Sequence, residues 1–355
     1  MSGPADAIVT DAVVVGAGPA GLFAAFELGL LEVGAHLVDA LPEPGGQCVE
    51  LYPDKPIYDI PGIVLCTGRE LAARLLEQLR PIGTPMHLGQ TVKSLARRDD
   101  GRFDLTTSEG LHFDAGAIVI ASGAGAFSPR RLPLAGLDAY EGSQLRYRLG
   151  DPAAYAGCKV IVFGDDEKAI GAVLSLAEAE SSQRPASVTL VHRRESFRAP
   201  AELLDRLAAA RAAGRAGFIA AQATAAIERD GRIVGVELID GEGKAVEHAA
   251  DTLLVLLGLS PKLGPIADWG LDMERRQIRV EPARFETSVP GVHAIGDIVA
   301  YPGKKKLILC GFHEATLAAF AVAARCKPEA LGPLEYTTTS TRLHRVLGIA
   351  PADRR

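Results

Sequence analysis

The run Gly16-Ala17-Gly18-Pro19-Ala20-Gly21 is the first part of this chain whose residue types and spacing could do chemistry. It follows the apolar segment Ala12–Val15 and leads into the helix-forming segment Leu22–Leu31. That is the context in which G-x-G-x-x-G serves a dinucleotide. Gly16 permits a tight turn, Gly18 lets a pyrophosphate approach the backbone, and Gly21 lets helix and strand pack closely. Pro19 and Ala20 open the helix, whose unpaired N–H groups face the phosphates. Asp39 closes the next strand, His36–Val38, about 20 residues on, where a carboxylate can take both hydroxyls of an adenosine ribose. The alternative is a glycine-rich turn with no ligand, but strand, helix and acid all stand in place.

A second acid lies near the far end, in Gly291-Val292-His293-Ala294-Ile295-Gly296-Asp297. An Asp that follows a strand and starts a helix can hold a ribityl chain and sit close to a flavin pyrophosphate. The alternative for Asp297 is an ordinary N-cap worth about 1 kcal/mol. Taken with the first glycine run, it points to FAD as the dinucleotide.

The elements that must position these residues read as a βαβ unit used twice, about 150 residues apart. The second unit runs Val160–Phe163, Gly164–Lys168, Ala169–Glu178 and Val188–Val191. Between the units lie a hairpin, Arg102–Thr107 with Leu111–Phe113, and then a buried strand, Ala117–Ala121. Further on come a hairpin over Ile227–Leu238 and an apolar strand, Thr252–Leu257, ended by Gly-Leu-Ser-Pro at 258–261. Arg206–Arg215, dominated by Ala and Arg, reads as an exposed helix.

With 355 residues, 48% of them hydrophobic and 23% charged, the chain can bury a sizeable core and suits about two domains. A net charge of -6 gives no electrostatic case for nucleic acid. The five cysteines are scattered without a C-x-x-C pair, which suits free thiols in a reducing compartment and not a disulfide framework or a zinc site. No signal peptide is evident, and the uncharged stretch around Ala115–Pro129 is shorter than the ~20 residues of a membrane span. A soluble, cytoplasmic protein with no metal, nucleic-acid or membrane partner is the expectation.

Several motifs together resemble the ferredoxin/flavodoxin–NADP⁺ reductases of the thioredoxin-reductase-like type. They are the first glycine run, P-G-G-Q at Pro44–Gln47, L-Y-P-D-K-P-I-Y-D-I-P-G at Leu51–Gly62, A-S-G-A-G-A-F at Ala121–Phe127 and Gly296–Asp297. The C-terminal run E-Y-T-T-T-S-T at Glu335–Thr341 completes the set. The resemblance implies an α/β fold of two dinucleotide-binding domains (Rossmann-like, three-layer ββα), the second inserted in the first. An FAD-binding domain is expected over 1–125 and 259–355, and an NADP(H)-binding domain over 126–258. It further implies that Asp39 binds the adenosine ribose and that Gly46, Gln47 and Tyr52 contact the flavin side, with Tyr52 stacked on one ring face. Val92 and Phe127 would line the cofactor channel, and Asp297 would hold the ribityl–phosphate region. Tyr336, from a partner subunit in a homodimer, would cover the opposite face, with Thr337, Thr338 and Thr339 near the reactive edge. Such a sandwich buries the flavin faces and excludes water. Thioredoxin reductases proper carry a redox C-x-x-C in the second domain; its absence here excludes dithiol chemistry.

By the same resemblance the second unit is a nicotinamide site, yet it departs from the family's G-G-G-D-S-A. It reads Gly164-Asp165-Asp166-Glu167-Lys168-Ala169, with Asp166 where a pyrophosphate must approach. A like-charge pair at about 4 Å costs roughly 1 kcal/mol in water and up to about 4 at a partly shielded surface. Three acids at a helix start also favour a self-capped helix. Pulling the other way, His192-Arg193-Arg194 with Arg198 suits a 2′-phosphate; a solvated basic turn is the alternative. The activity implied is electron transfer between NADPH and ferredoxin or flavodoxin. Arg130-Arg131 and Lys304-Lys305-Lys306 are candidate docking charges for such acidic partners. The competing readings are a flavin or quinone reductase fed by another donor, and a flavin-holding redox sensor without turnover.

Overall fold

Ala12–Val15 shows no polar alternation, so its strand must be covered on both faces, as parallel strands are. The protein is described by a computed structural model covering residues 7–330 and 335–349, apart from the side chains of 126–128, 261–262 and 330. It divides into two compact units, Met1–Phe127 with Pro261–Arg355, and Ser128–Ser260.

In the first unit the strand Ile8–Val15 lies parallel between Ala35–Val38 and His112–Ile120. Met86–His87 extends the sheet beyond Ala35–Val38. The hairpin expected at 102–113 and the strand expected at 117–121 turn out to share one strand, His112–Ile120. Its first half pairs antiparallel with Phe103–Thr107, and its last three residues pair parallel with Val292–Ala294. Asp114 and Gly116 break the apolar run in the sequence, but the backbone passes straight through them.

The helix Pro19–Leu30 packs on this sheet and against Ile308–Cys326. The two helices meet closely where a Cβ on Gly311 would stand 3.2 Å from the Ala20 methyl, and the Phe23 and Phe312 rings lie 5.0 Å apart beside that point. By length and composition Ile308–Cys326 would also suit a bilayer, but its alanine face is buried inside the unit. The short helix Thr341–Val346 adds Leu343, only 4% exposed, to the same core.

The second unit repeats the parallel arrangement. Lys159–Phe163 lies between Ser187–His192 and Thr252–Val255, with Glu167–Ala177 packed over it. The hairpin expected at 227–238 is the tip of a longer ladder, Gly217–Arg229 with Arg232–Asp240, to which Ala245–Ala249 adds a third strand. The helix expected at 206–215 runs over Ala201–Ala212 and is not simply exposed: it buries Leu207 and Ala210. Gly214 follows in the left-handed region (φ +67°) and turns the chain into the next strand.

Candidate functional site

A cleft of about 1200 Å³, part of it open to solvent, runs across the first unit along the carboxyl ends of its strands. Its floor is the glycine turn. Gly16 (φ +117°) passes so close to the next strand that a Cβ there would lie 2.4 Å from the Ala121 carbonyl oxygen. A Cβ on Gly21 would lie 1.8 Å from the Gly16 oxygen, whereas one on Gly18 would meet nothing nearer than 3.9 Å. Gly16 and Gly21 are therefore glycine for packing, and Gly18 for the space it leaves over the cleft.

The helix starting at Pro19 has no side-chain cap. By contrast Gly68–Leu79 in the same unit is closed by a Thr67–Glu70 capping box. The open N-terminus presents N–H groups and a partial positive charge to whatever fills the cleft. Asp39 lines the cleft as well. Its carboxylate accepts from the N–H of Leu41 at 2.7 Å and from that of Ala17, which ties the strand end to the glycine turn. Burial pushes its carboxyl pKa up, against the lowering effect of those two bonds.

The cleft is also lined by Gly46, Gln47, Tyr52, Val92 and Asp297, together with Cys48, Ser122 and Lys306. A Cβ on Gly123 (φ +60°) would meet the Gln47 amide at 2.7 Å. The Tyr52 hydroxyl lies 3.5 Å from Cys48 Sγ, and burial keeps both groups protonated well above their ordinary ranges. Asp297 sits in a single 3₁₀ turn, Gly296–Ile298, and caps no helix, which removes the N-cap alternative. Its half-buried carboxylate lines the cleft. The Ser122 hydroxyl is buried without a partner.

This arrangement fits FAD. An uncapped helix tip and an uncrowded Gly18 suit the diphosphate, Asp39 suits the ribose, and the orphaned Ser122 hydroxyl awaits a polar group.

Glu314 escaped the sequence reading. It is fully buried in Ile308–Cys326. One oxygen accepts the Gly296 N–H at 2.6 Å; the other accepts the Tyr301 hydroxyl at 2.9 Å and the Lys304 ammonium. Glu314 thus pins the Gly296–Asp297 turn from behind. A single acid in a 19-residue apolar helix was the available signal, since a buried charge must be paired.

Other expected site residues lie elsewhere. Tyr336 is 66% exposed, and Thr337–Thr339 form an exposed turn. Arg342 ties this tail to the carbonyl of Leu30 and the carboxylate of Glu32, at the opposite end of the first helix from the glycine turn. Twelve residues separate those ends, about 18 Å of helix. Within one chain the tail does not reach the cleft. The Phe127 side chain lies outside the described residues. Lys304 is not a docking charge, because its ammonium is consumed by Glu314 with 7% of the side chain exposed. Lys305 and Lys306 remain exposed, the latter at the rim of the cleft. Arg131 is likewise engaged, by Asp138 and Glu141.

In the second unit the turn after Lys159–Phe163 keeps Gly164, where a Cβ would meet the Leu256 oxygen at 2.5 Å. The helix that follows is self-capped: the Asp166 side chain accepts the Ala169 N–H at 3.1 Å. Arg198 is held by Asp165, and the His192 ring lies 3.9 Å from the same carboxylate. Arg193 and Arg194 are exposed and make no ion pair among the described residues.

Comparison with known proteins agrees with this geometry. A family model described as pyridine nucleotide-disulphide oxidoreductase matches residues 10–323. The chain is 51% identical over 342 residues to a protein of Methylibium petroleiphilum named ferredoxin–NADP reductase, covering 96% of this chain and 93% of the relative. It is 51% identical over 348 residues to the protein of that name from Leptothrix cholodnii, covering 98% and 93%. Among solved structures, the thioredoxin reductase of T. acidophilum is similar in fold, with a TM-score of 0.58 and 23% identity, over 89% of this chain and 98% of that one.

Proposed function

The chain belongs to the pyridine nucleotide-disulphide oxidoreductase family, and from that premise we propose that it is an FAD-dependent enzyme moving electrons between NADPH and ferredoxin. Flavodoxin is the alternative one-electron partner. The observation that carries the reading is the uncapped helix tip at Gly18–Pro19, opening on a cleft that Asp39, Tyr52, Ser122 and Asp297 also line. Bound there, FAD supplies the exchange between two-electron and one-electron carriers. Gly18 and the first-turn N–H groups hold the diphosphate, and Asp39 holds the adenosine ribose. Tyr52 covers one ring face. Its raised pKa keeps its hydroxyl protonated and uncharged beside Cys48 and Asp297. Glu314 fixes the turn that carries Asp297.

The second unit is the NADP(H) unit, with Gly164, His192, Arg193, Arg194 and Arg198 at its nucleotide end. The tail acts across a homodimer, where Tyr336 and Thr337–Thr339 of a second copy close the flavin side. Its exposed tyrosine and the exposed Leu51, Tyr58, Val64 and Leu65 support that assembly, since surfaces of this kind are buried in oligomers. Lys305 and Lys306 at the cleft rim steer the acidic electron partner. Free cysteines support a place in the reducing cytoplasm.

The test is anaerobic. NADPH, and not NADH at the same concentration, should bleach the yellow protein and pass electrons to added ferredoxin, more slowly as salt is raised. Persistent yellow colour with both nucleotides would instead support a flavin-holding protein without turnover.

A further inference from the structure

Arg198 meets the turn Gly164–Asp166 in two ways. Its backbone N–H donates to the Asp165 carbonyl at 2.7 Å, and its guanidinium forks onto the Asp165 carboxylate, Nε to Oδ2 at 3.0 Å and Nη2 to Oδ1 at 2.8 Å. Two parallel N–H···O bonds are the geometry a guanidinium uses for two oxygens of a phosphate. The carboxylate therefore occupies on Arg198 the place a phosphate would take.

The pair is exchangeable. The Arg198 side chain is 73% exposed against 21% for Asp165, so water and solute anions reach the guanidinium, and a pair open to water on one side gives way to a competing anion more readily than a buried one. The loop does not depend on the carboxylate, because the backbone bond from Arg198 and the Asp166 cap on Ala169 hold its two sides independently. Arg193 and Arg194, which follow His192 in the chain, are exposed with no ion pair among the described residues.

We propose that Asp165 is a resident competitor for Arg198: a 2′-phosphorylated adenine nucleotide binds the second unit by displacing the Asp165 carboxylate from the guanidinium, so that Asp165 sets how strongly the chain distinguishes NADP(H) from NAD(H). The proposal rests on reading the second unit as the NADP(H) unit and adds to it a residue that lowers affinity. The sign follows from charge. Asp165 takes the donors that the 2′-phosphate needs, and once displaced it remains a like charge close by. An unphosphorylated nucleotide has no use for those donors and is indifferent to the exchange.

The experiment uses the FAD-loaded protein and calorimetric titration with adenosine 2′,5′-bisphosphate and with 5′-AMP. The four proteins are the wild type, Asp165→Asn, Arg198→Met and the double variant, each checked for an unchanged melting temperature. Asp165→Asn should bind the bisphosphate roughly five- to ten-fold more tightly, with 5′-AMP within about two-fold of the wild type. The gain should vanish in the double variant. Unchanged or weaker bisphosphate binding in Asp165→Asn would overturn the proposal and make Asp165 a residue that positions Arg198. A gain that survives loss of Arg198 would also overturn it, leaving only diffuse repulsion. If none of the four yellow proteins bound either nucleotide, the NADP(H) reading of the unit would fall, and the proposal with it.

Discussion

Replacing Glu314 by Gln would leave the Lys304 ammonium, with 7% of its side chain exposed, facing a neutral amide in a site from which water is excluded. Removing one partner of a buried ion pair costs about 3–5 kcal/mol, because the remaining charge stays buried and uncompensated. For a unit of roughly 150–250 residues each kcal/mol lowers the melting temperature by about 2–4 °C, so the first unit should melt roughly 6–20 °C lower. In the Glu314→Gln variant the Gly296 N–H keeps an acceptor only if the amide oxygen turns toward it, which then aims the amide NH₂ at Lys304. Both demands cannot be met, so the Gly296–Asp297 turn should shift and FAD affinity should fall together with stability. The double variant Glu314→Gln with Lys304→Met removes the stranded charge and should recover most of the loss, since the largest cost of breaking a buried pair is the uncompensated charge. Differential scanning calorimetry of the FAD-free proteins gives the stability, and flavin fluorescence gives the affinity. A shift below about 2 °C, or a double variant no better than the single one, would refute the claim that this buried pair holds the turn.

Gly21→Ala should abolish FAD binding and cost at least about 3 kcal/mol, because its Cβ would stand 1.8 Å from a backbone oxygen that cannot yield. Gly18→Ala should fold with unchanged apoprotein stability and bind FAD more weakly, since its Cβ meets nothing nearer than 3.9 Å; equal affinity in this variant would contradict the assignment of that space to the diphosphate. Asp39, pushed up by burial, should protonate above the ordinary carboxylate range as pH falls, and FAD should loosen there. The stability of the apoprotein should move the opposite way, because a raised carboxyl pKa favours the fold below the unfolded value and that contribution is lost as pH rises through the folded one. Asp39→Asn should flatten both curves. His36 and His87, stacked with ring nitrogens 2.9 Å apart, both have pKa values lowered by burial, and His36 also by its neighbour. Their contribution to stability is complete above about 6.5 and should be lost as pH falls below it; His87→Gln should blunt that acid-side loss, visible in urea midpoints.

The glycine turn and Asp39 could be read from the chain because their requirements are local. A turn that passes 2.4 Å from a carbonyl admits only glycine, and the acid closes the very next strand. The Asp166 cap was legible for the same reason, three residues from the N–H it accepts. What escaped depends on distant partners. Asp165 and Arg198 are 33 positions apart, and nothing in either segment says that the arginine is already taken. Lys304 looks like the first of three solvated lysines until Glu314 comes from the next helix to bury it. The strand His112–Ile120 reads as two segments because its halves face different neighbours, and no single periodicity runs through it. The tail motif at Glu335–Thr341 is legible in its residue types but not in its position: Leu343 anchors it in the core far from the cleft of its own chain.

Equilibrium titration of the FAD-free protein with FAD tests the central claim most directly, namely that the open helix tip and the two acids beside it hold one flavin dinucleotide per chain. Tight uptake at one FAD per chain is predicted, with the yellow colour retained on gel filtration and affinity reduced at least about ten-fold by Asp39→Ala, the size expected for losing the two charge-assisted hydrogen bonds proposed for the ribose. A folded protein that stays colourless in excess FAD would contradict the account.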